Sequence, residues 1–458
     1  MSATTRFFTR LFVLCAVLMI APGAFPVLGA DRVPPATKVN PTSGGYVAIV
    51  SANAAADSGA PIGSYFVIGN MATDISHPAI AYNSHAREYL VVWQTDVPTA
   101  GNIWAARLRR DGKVLGTYEV EAGGGVVRSR PDVAYNEQDH DYYIVWQYID
   151  GGYSRIRGKP FSPGGPVYGS MQLSTGVALK NCYEPAVAYA GSAYKFIVVW
   201  ERHVQGSLVS DIEAQVLTGG GAFEGANFLI KPGTTNNSHS QPDVAYNRSR
   251  NEYMVVWTWH DSVGPNDDIL GRIVTRDGVI LGGNDVVVGY HTPPETVPAV
   301  AGMPTTANYG GYLVAWELHY SAADHDIYAR TIPGRIGVEP ALPLGSVVQV
   351  ASAGANETVP AVGANDLTKR YLVSWTETYP PPFTINVGIK ARELSLSGAL
   401  DGAAEWVGGA FSGVSAASGG PTGDFLVAYD EAGLFGGVDI WGRLWGRRVY
   451  LPLVLRAM

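Results

Sequence analysis

Short runs of consecutive apolar residues, each closed by an aromatic, recur along the chain with polar turns between them. The run Tyr89-Leu90-Val91-Val92-Trp93 follows Pro78-Ala79-Ile80-Ala81-Tyr82-Asn83 across one such turn. The pair returns as Pro131-Asp132-Val133-Ala134-Tyr135-Asn136 with Tyr143-Ile144-Val145-Trp146, and again over residues 185–200, 242–257, 298–316 and 360–375. A seventh copy, Phe425-Leu426-Val427-Ala428-Tyr429, has lost its proline. The closing aromatics at 93, 146, 200, 257, 316, 375 and 429 lie 53–59 residues apart, so each period reads as one supersecondary unit.

Within a unit, the all-apolar run predicts a strand covered on both faces, because a half-solvated strand would alternate. A shorter strand precedes it. A third strand begins at Asn102-Ile103, Asp211-Ile212, Asp268-Ile269, Asp326-Ile327 and Asp439-Ile440, and soon meets Arg107, Lys159, Gln215, Arg272, Arg330, Arg392 or Arg443. Asp111-Gly112 and Asp277-Gly278 then mark tight hairpins into a fourth strand. Four short antiparallel strands, repeated seven times, predict an all-β, seven-bladed β-propeller of four-stranded antiparallel blades. A sandwich would alternate in and out, a parallel β-helix has coils roughly half this length, and an α-solenoid needs helical periodicity.

The last unit runs short of chain after its third strand. Upstream of the first unit, residues 59–67 match 112–120 at a constant offset of 53, an orphan fourth strand. The ring is therefore expected to close by this N-terminal strand, which removes two exposed sheet edges; residues 449–455 are the competing candidate. The domain reading is a signal peptide over 1–30, a linker and lead-in segment over 31–58, the propeller over 59–448 and a C-terminal tail over 449–458. The export reading rests on Arg6 and Arg10, an apolar run over 11–20 and a small-residue end at Gly29-Ala30. That run is too short to span a membrane, for which about 20 residues are needed.

Residues 59–445 resemble the secreted bacterial repeat proteins that carry P-x-V-A-Y-N followed by Y-L-V-V-W. The resemblance implies a propeller, and, since these proteins mostly have no assigned activity, it carries over no catalytic residue. The tail 450–456 resembles a short terminal motif of secreted bacterial proteins, with an edge strand as the plainer reading.

Composition narrows the partners. Only 16% of the 458 residues are charged, and removing the export segment takes away two of 32 basic residues and none of 40 acidic ones, leaving a formal charge of −10. No basic patch invites nucleic acid or an anionic membrane. Cys15 lies in the export segment, so Cys182 stands alone and reads as a small buried residue.

The recurring tryptophans read as core, the Asp or Asn before Ile as a turn cap or strand bridge, and the third-strand Arg as a structural partner of that Asp across blades. No nucleophile elbow, zinc-type histidine spacing, phosphate loop or S-x-D-x-G-x-x-W turn is present. No cofactor and no metal are expected.

Candidate chemistry lies where the repeats disagree, in the loops of one face. Trp259, His260 and Asp261 follow one unit's second strand, Glu317, His319 and Tyr320 the next, and Glu201 and His203 an earlier one. His77, Arg130 and Glu184 sit just before blade prolines. The expected function is a secreted, monomeric, non-enzymatic propeller binding a glycan or surface protein at a site shared by the fourth and fifth blades. An extracellular polysaccharide hydrolase or lyase using Glu201, Glu317 and Glu377, or a purely structural envelope protein, are the alternatives.

Overall fold

The computed structural model describes residues 59–446, apart from 98–99, 168, 176–179, 205–206, 208, 262–263, 265, 304–310, 334–343, 353, 380–386, 410–413, 419–422 and 433–436. The expected export segment, lead-in and tail, with the competing closing strand 449–455, lie outside the described residues. Seven antiparallel sheets form blades over 75–121, 127–172, 180–231, 237–289, 295–351, 356–409 and 414–446. The first strand of each blade touches the first strand of its neighbours, so these strands make the inner ring. Blades 1 to 6 follow chain order outward, with the outer strand of blade 2 broken into Gly165–Pro166 and Met171–Gln172. In blade 7 the outer position is filled by Ala60–Gly69, which pairs antiparallel with Val438–Gly446, for example Pro61 with Trp445 and Val67 with Trp441. The ring closes by its N-terminal strand.

The core follows from the double-sided second strands. Seven hydrophobic clusters each span two neighbouring blades, because alternate residues of one strand pack on opposite neighbours. In blade 4, Tyr253, Val255 and Trp257 face blade 3, while Met254 and Val256 face blade 5. The closing tryptophans at 93, 146, 200, 257, 316 and 375 are fully buried.

Two polar devices join blades. The Asn of the repeat makes a turn with its side chain: Asn83 Oδ1 accepts from the amides of His85 and Ala86 at 3.0 and 2.8 Å, and Asn365 repeats this with Leu367 and Thr368. Its Nδ2 donates to a carbonyl of the next blade, Asn136 to Gly219 at 3.2 Å, Asn247 to Gly311 at 3.1 Å and Asn365 to Asp424 at 3.1 Å. The sequence suggests that the third-strand cations pair with the recurring Asp across blades, and in the described contacts they do not. Five of them donate instead to outer-strand carbonyls of the preceding blade, Lys159 to Val120 (2.9 Å), Arg272 to Ile230 (2.7 Å), Arg330 to Val288 (3.0 Å), Arg392 to Val350 (3.2 Å) and Arg443 to Val407 (2.8 Å), whereas Arg107 pairs with Glu88 and donates to the Pro163 carbonyl of the next blade. A long cation can span the gap between sheets and satisfy a carbonyl that no further strand pairs. The recurring Asp bridges toward its own outer strand, Asp326 accepting from Gln349 Nε2 at 2.7 Å and Asp439 from Asn70 Nδ2 at 3.0 Å.

Cys182 is buried, and burial pushes its thiol up to about 11, consistent with an inert packing role.

Candidate functional site

The second strands run past the core on one face. In Glu252–Asp261 the first seven residues are buried and Trp259, His260 and Asp261 are half-buried; in Gly311–Ser321 burial ends at Leu318, and Tyr320 is 50% exposed. The residues expected in loops are therefore strand ends, and the pleat gives each a side. Trp259 continues the Trp257 side and packs on the cluster shared with blade 3. His260 lies on the opposite side, toward blade 5, where Ser240 Oγ and Asp267 Oδ1 contact its two ring nitrogens. Tyr320 shares the Trp316 side, facing blade 4, and its hydroxyl meets that of Tyr328 at 2.9 Å. Glu317 and His319 lie on the other side of blade 5 and face blade 6. The site expected to be shared by blades 4 and 5 is thus divided among three clefts, and only His260 and Tyr320 of its core members face one another's blade. Asp261, half-buried at the strand's end, falls by the same alternation on the Trp259 side, toward blade 3.

The residues before the prolines are not in loops either. His77, Arg130, Glu184, Gln241, Val297 and Val359 all have φ between 49° and 54°, and each sits where the first strand slips register against the second. Such conformations cost a non-glycine residue about 1–3 kcal/mol. The bulge suits the following proline, which has no N–H to give the ladder. It leaves the preceding amide unpaired within its own sheet, and the side chain just after the preceding blade's tryptophan supplies an acceptor. Gln94 Oε1 accepts from the Arg130 amide at 2.7 Å, Gln147 from Glu184 at 3.4 Å, Glu201 from Gln241 at 3.4 Å and Glu317 from Val359 at 2.6 Å. In blade 4 this position is Thr258, which is too short. Gln241 Oε1 takes over, accepting from Thr258 Oγ1 at 2.9 Å and the Val297 amide at 3.2 Å. Glu201 and Glu317, expected as candidate acids, are therefore built into the scaffold.

At the inner ring, Arg130 and Glu184 form an ion pair at 3.6 Å. Burial pushes the Glu184 carboxyl up, opposed by Arg130 and reinforced by Glu201. The His77 ring, bonded to Ser76 Oγ at 2.8 Å, is held below its usual pKa by burial and then by the Arg130 charge. His203 contacts Glu201 and meets Tyr183 edge-on at 5.2 Å between ring centroids.

Three side chains missed in the sequence complete two of the clefts. Tyr290, 74% exposed, and His291 lie in the segment entering blade 5; His291 contacts Glu295 Oε1, which also accepts from Trp316 Nε1 at 2.8 Å. His291 reaches the cleft that Tyr320 faces, its ring 6.0 Å from that of Tyr328, which bonds Tyr320; Tyr290 is its exposed neighbour in sequence. The third is His325, which pairs across the strands with His319, the two rings stacking at 3.8 Å and 7°. His319 Nε2 lies 3.2 Å and His325 Nδ1 3.4 Å from Glu317 Oε2, and Thr296 Oγ1 is 2.8 Å from His319 Nε2. Burial would raise the Glu317 carboxyl, but the two imidazoles beside it, His319 first and then His325, and the hydrogen bond from the Val359 amide outweigh that and hold it below its usual value. A histidine six residues beyond another in sequence gives no local signal; a tight hairpin makes them neighbours.

No protein-family model and no curated protein matches the chain. Among solved structures, a protein of unknown function from Dyadobacter fermentans is similar over 85% of this chain and 100% of its own, at 11% identity and a TM-score of 0.48. The Hadza microbial sialidase Hz136 is similar over 75% of this chain and 68% of its own, at 8% identity and 0.46. An endo-arabinase from Bacteroides thetaiotaomicron covers 59% of this chain and 98% of its own, at 13% identity and 0.35. At these values none of the three bears on what this chain does.

Proposed function

We propose that the chain is an exported, non-enzymatic propeller that binds a glycan or a protein partner at the cleft between blades 4 and 5. The observation that carries this reading is that His260 and the half-exposed Tyr320 both face the gap between blades 4 and 5, with the His291 ring 6.0 Å from the Tyr328 ring that Tyr320 bonds and Tyr290 exposed beside His291 in sequence. Aromatic rings stack on the apolar face of a sugar or on a partner's side chains, and imidazoles bond hydroxyls. The hydrolase alternative loses support because Glu201 and Glu317 each hold a backbone amide of the next blade.

The test is a glycan array with a parallel polysaccharide-hydrolysis screen on the full chain. Binding without release of reducing ends is expected. Changing Tyr290, Tyr320 and His260 together to alanine should weaken the bound ligand's affinity at least about tenfold, since that is the loss of roughly one good contact at 1.4 kcal/mol, with the melting temperature nearly unchanged. Trp259→Ala, on the other side of the sheet, should leave affinity alone. Turnover of a polysaccharide, or affinity unchanged in the triple variant, would overturn the reading.

A further inference from the structure

We infer that Glu317, His319 and His325 form a binding site for a divalent transition metal, zinc foremost, on the blade 5 side facing blade 6. The site is independent of the glycan or partner reading, since it lies in a different cleft. One carboxylate oxygen and two imidazole nitrogens lie within 4.8 Å of one another. The separations from Glu317 match those between metal donors, and the stacked rings of His319 and His325 must splay for both lone pairs to meet one ion. Donors bound tetrahedrally at about 2.0–2.1 Å lie about 3.3–3.4 Å apart along the edges of the tetrahedron, and Glu317 Oε2 is 3.2 Å from His319 Nε2 and 3.4 Å from His325 Nδ1. A charge-assisted hydrogen bond would draw such atoms to about 2.7–2.9 Å.

A second observation points the same way. His325 Nδ1 is buried with no hydrogen-bond partner, and it is aimed at the carboxylate. A buried polar atom left without a partner is costly unless something occupies its lone pair. The carboxylate is also fixed in advance, because Glu317 Oε1 accepts the Val359 amide at 2.6 Å and leaves Oε2 to face the imidazoles. This is the outer-sphere orientation that metal-binding carboxylates need. Thr296 Oγ1 bonds His319 Nε2 at 2.8 Å, a bond the ion would displace. Two imidazoles and a carboxylate suit zinc and its first-row neighbours rather than calcium or magnesium, which take oxygen donors. Three protein donors leave a fourth position for water or for a donor atom from outside the chain.

The experiment uses the tag-free full chain, stripped with chelator and titrated with zinc chloride by isothermal titration calorimetry. One equivalent is expected to bind, with magnesium and calcium giving no heat. His319→Gln and His325→Ser should each weaken zinc at least about tenfold, the range in which even outer-sphere changes act. Glu317→Gln keeps an acceptor for the Val359 amide and removes the anion, so it should stay folded and still lose affinity. Cobalt in place of zinc should give visible bands that vanish in the same variants. A folded wild-type chain that takes up no zinc, or zinc affinity unchanged in folded Glu317→Gln and His325→Ser, overturns the proposal.

Discussion

Blade 3 ends its second strand in Trp200-Glu201-Arg202-His203 and blade 5 in Trp316-Glu317-Leu318-His319. In both, the tryptophan is buried, the glutamate accepts an amide from the bulge of the next blade, and the histidine two residues on contacts that glutamate. The outcome differs because of what the third strand brings opposite. His203 pairs with Ser210, whose hydroxyl turns to Ser238 Oγ and the His239 carbonyl at 2.6 and 2.7 Å. His319 pairs with His325, which adds a third donor nitrogen to the glutamate. The repeat thus sets where the glutamate and histidine stand, and one cross-strand neighbour decides whether they remain a scaffold contact or gather into a cluster able to hold a metal.

The most severe way to break this comparison is to remove the part the two blades share. Trp200→Ala and Trp316→Ala should each lower the free energy of unfolding by about 3–5 kcal/mol, measured by urea denaturation. Each also removes one donor from a buried carboxylate, Trp200 Nε1 donating to Glu213 at 3.1 Å and Trp316 Nε1 to Glu295 at 2.8 Å, while Arg202 and His291 respectively stay in contact with them. A large loss in one blade and none in the other would mean the frames are not equivalent.

Changing the glutamates sharpens the contrast. Glu317→Ala leaves the Val359 amide without its acceptor and should cost about 1–3 kcal/mol. Glu317→Gln should recover most of that, because Gln94 and Gln147 fill the same position in blades 1 and 2. Glu201→Ala should cost less, its bond to the Gln241 amide being 3.4 Å against 2.6 Å at Glu317. Equal losses in the urea midpoints of the two alanine variants would erase the difference.

The smallest effect contrasts these rim carboxylates with two acids of the inner ring. Asp132 Oδ2 accepts the Val187 amide and Asp243 Oδ2 the Val300 amide, both at 2.7 Å, with no cation as partner in the described contacts. Burial pushes Asp132 up to about 7, with the Asp243 charge adding to it, and Asp243 itself to about 6. Their native pKa values lie above the unfolded value of about 3.9, so the native state binds more protons between roughly pH 4 and 7. Stability should fall as pH rises through that window. Asp132→Asn keeps the oxygen that accepts the Val187 amide. It should match the parent near pH 4 and exceed it by about 1–2 kcal/mol at pH 8, a discounted figure because the largely buried residue keeps some contact with solvent. Parallel pH profiles of the two proteins would show that Asp132 carries no such penalty.

Much of the site was hidden in the sequence for a local reason. Trp259, His260 and Asp261 read as a loop because the apolar run stops at Trp257, yet Glu252–Asp261 is one strand. Taking its end as a loop put Trp259 and His260 on one surface, whereas alternation sends them to clefts on opposite sides of blade 4. Likewise the blade prolines suggested where a strand begins, while the first strands start earlier and absorb the proline in a bulge.

The repeat period, the double-covered second strands and the orphan segment at an offset of 53 determined the number of blades, their order and the closing strand, because each is written in consecutive residues. The cross-blade acceptors for the bulge amides, the carbonyls held by Lys159 and Arg272, and the meeting of His325 with His319 and Glu317 were decided by tertiary structure. They depend on register between strands and on which faces of neighbouring sheets oppose one another. A shift of one residue reverses every side chain's face, and that alignment is selected by the packing of whole blades rather than by any short stretch of chain.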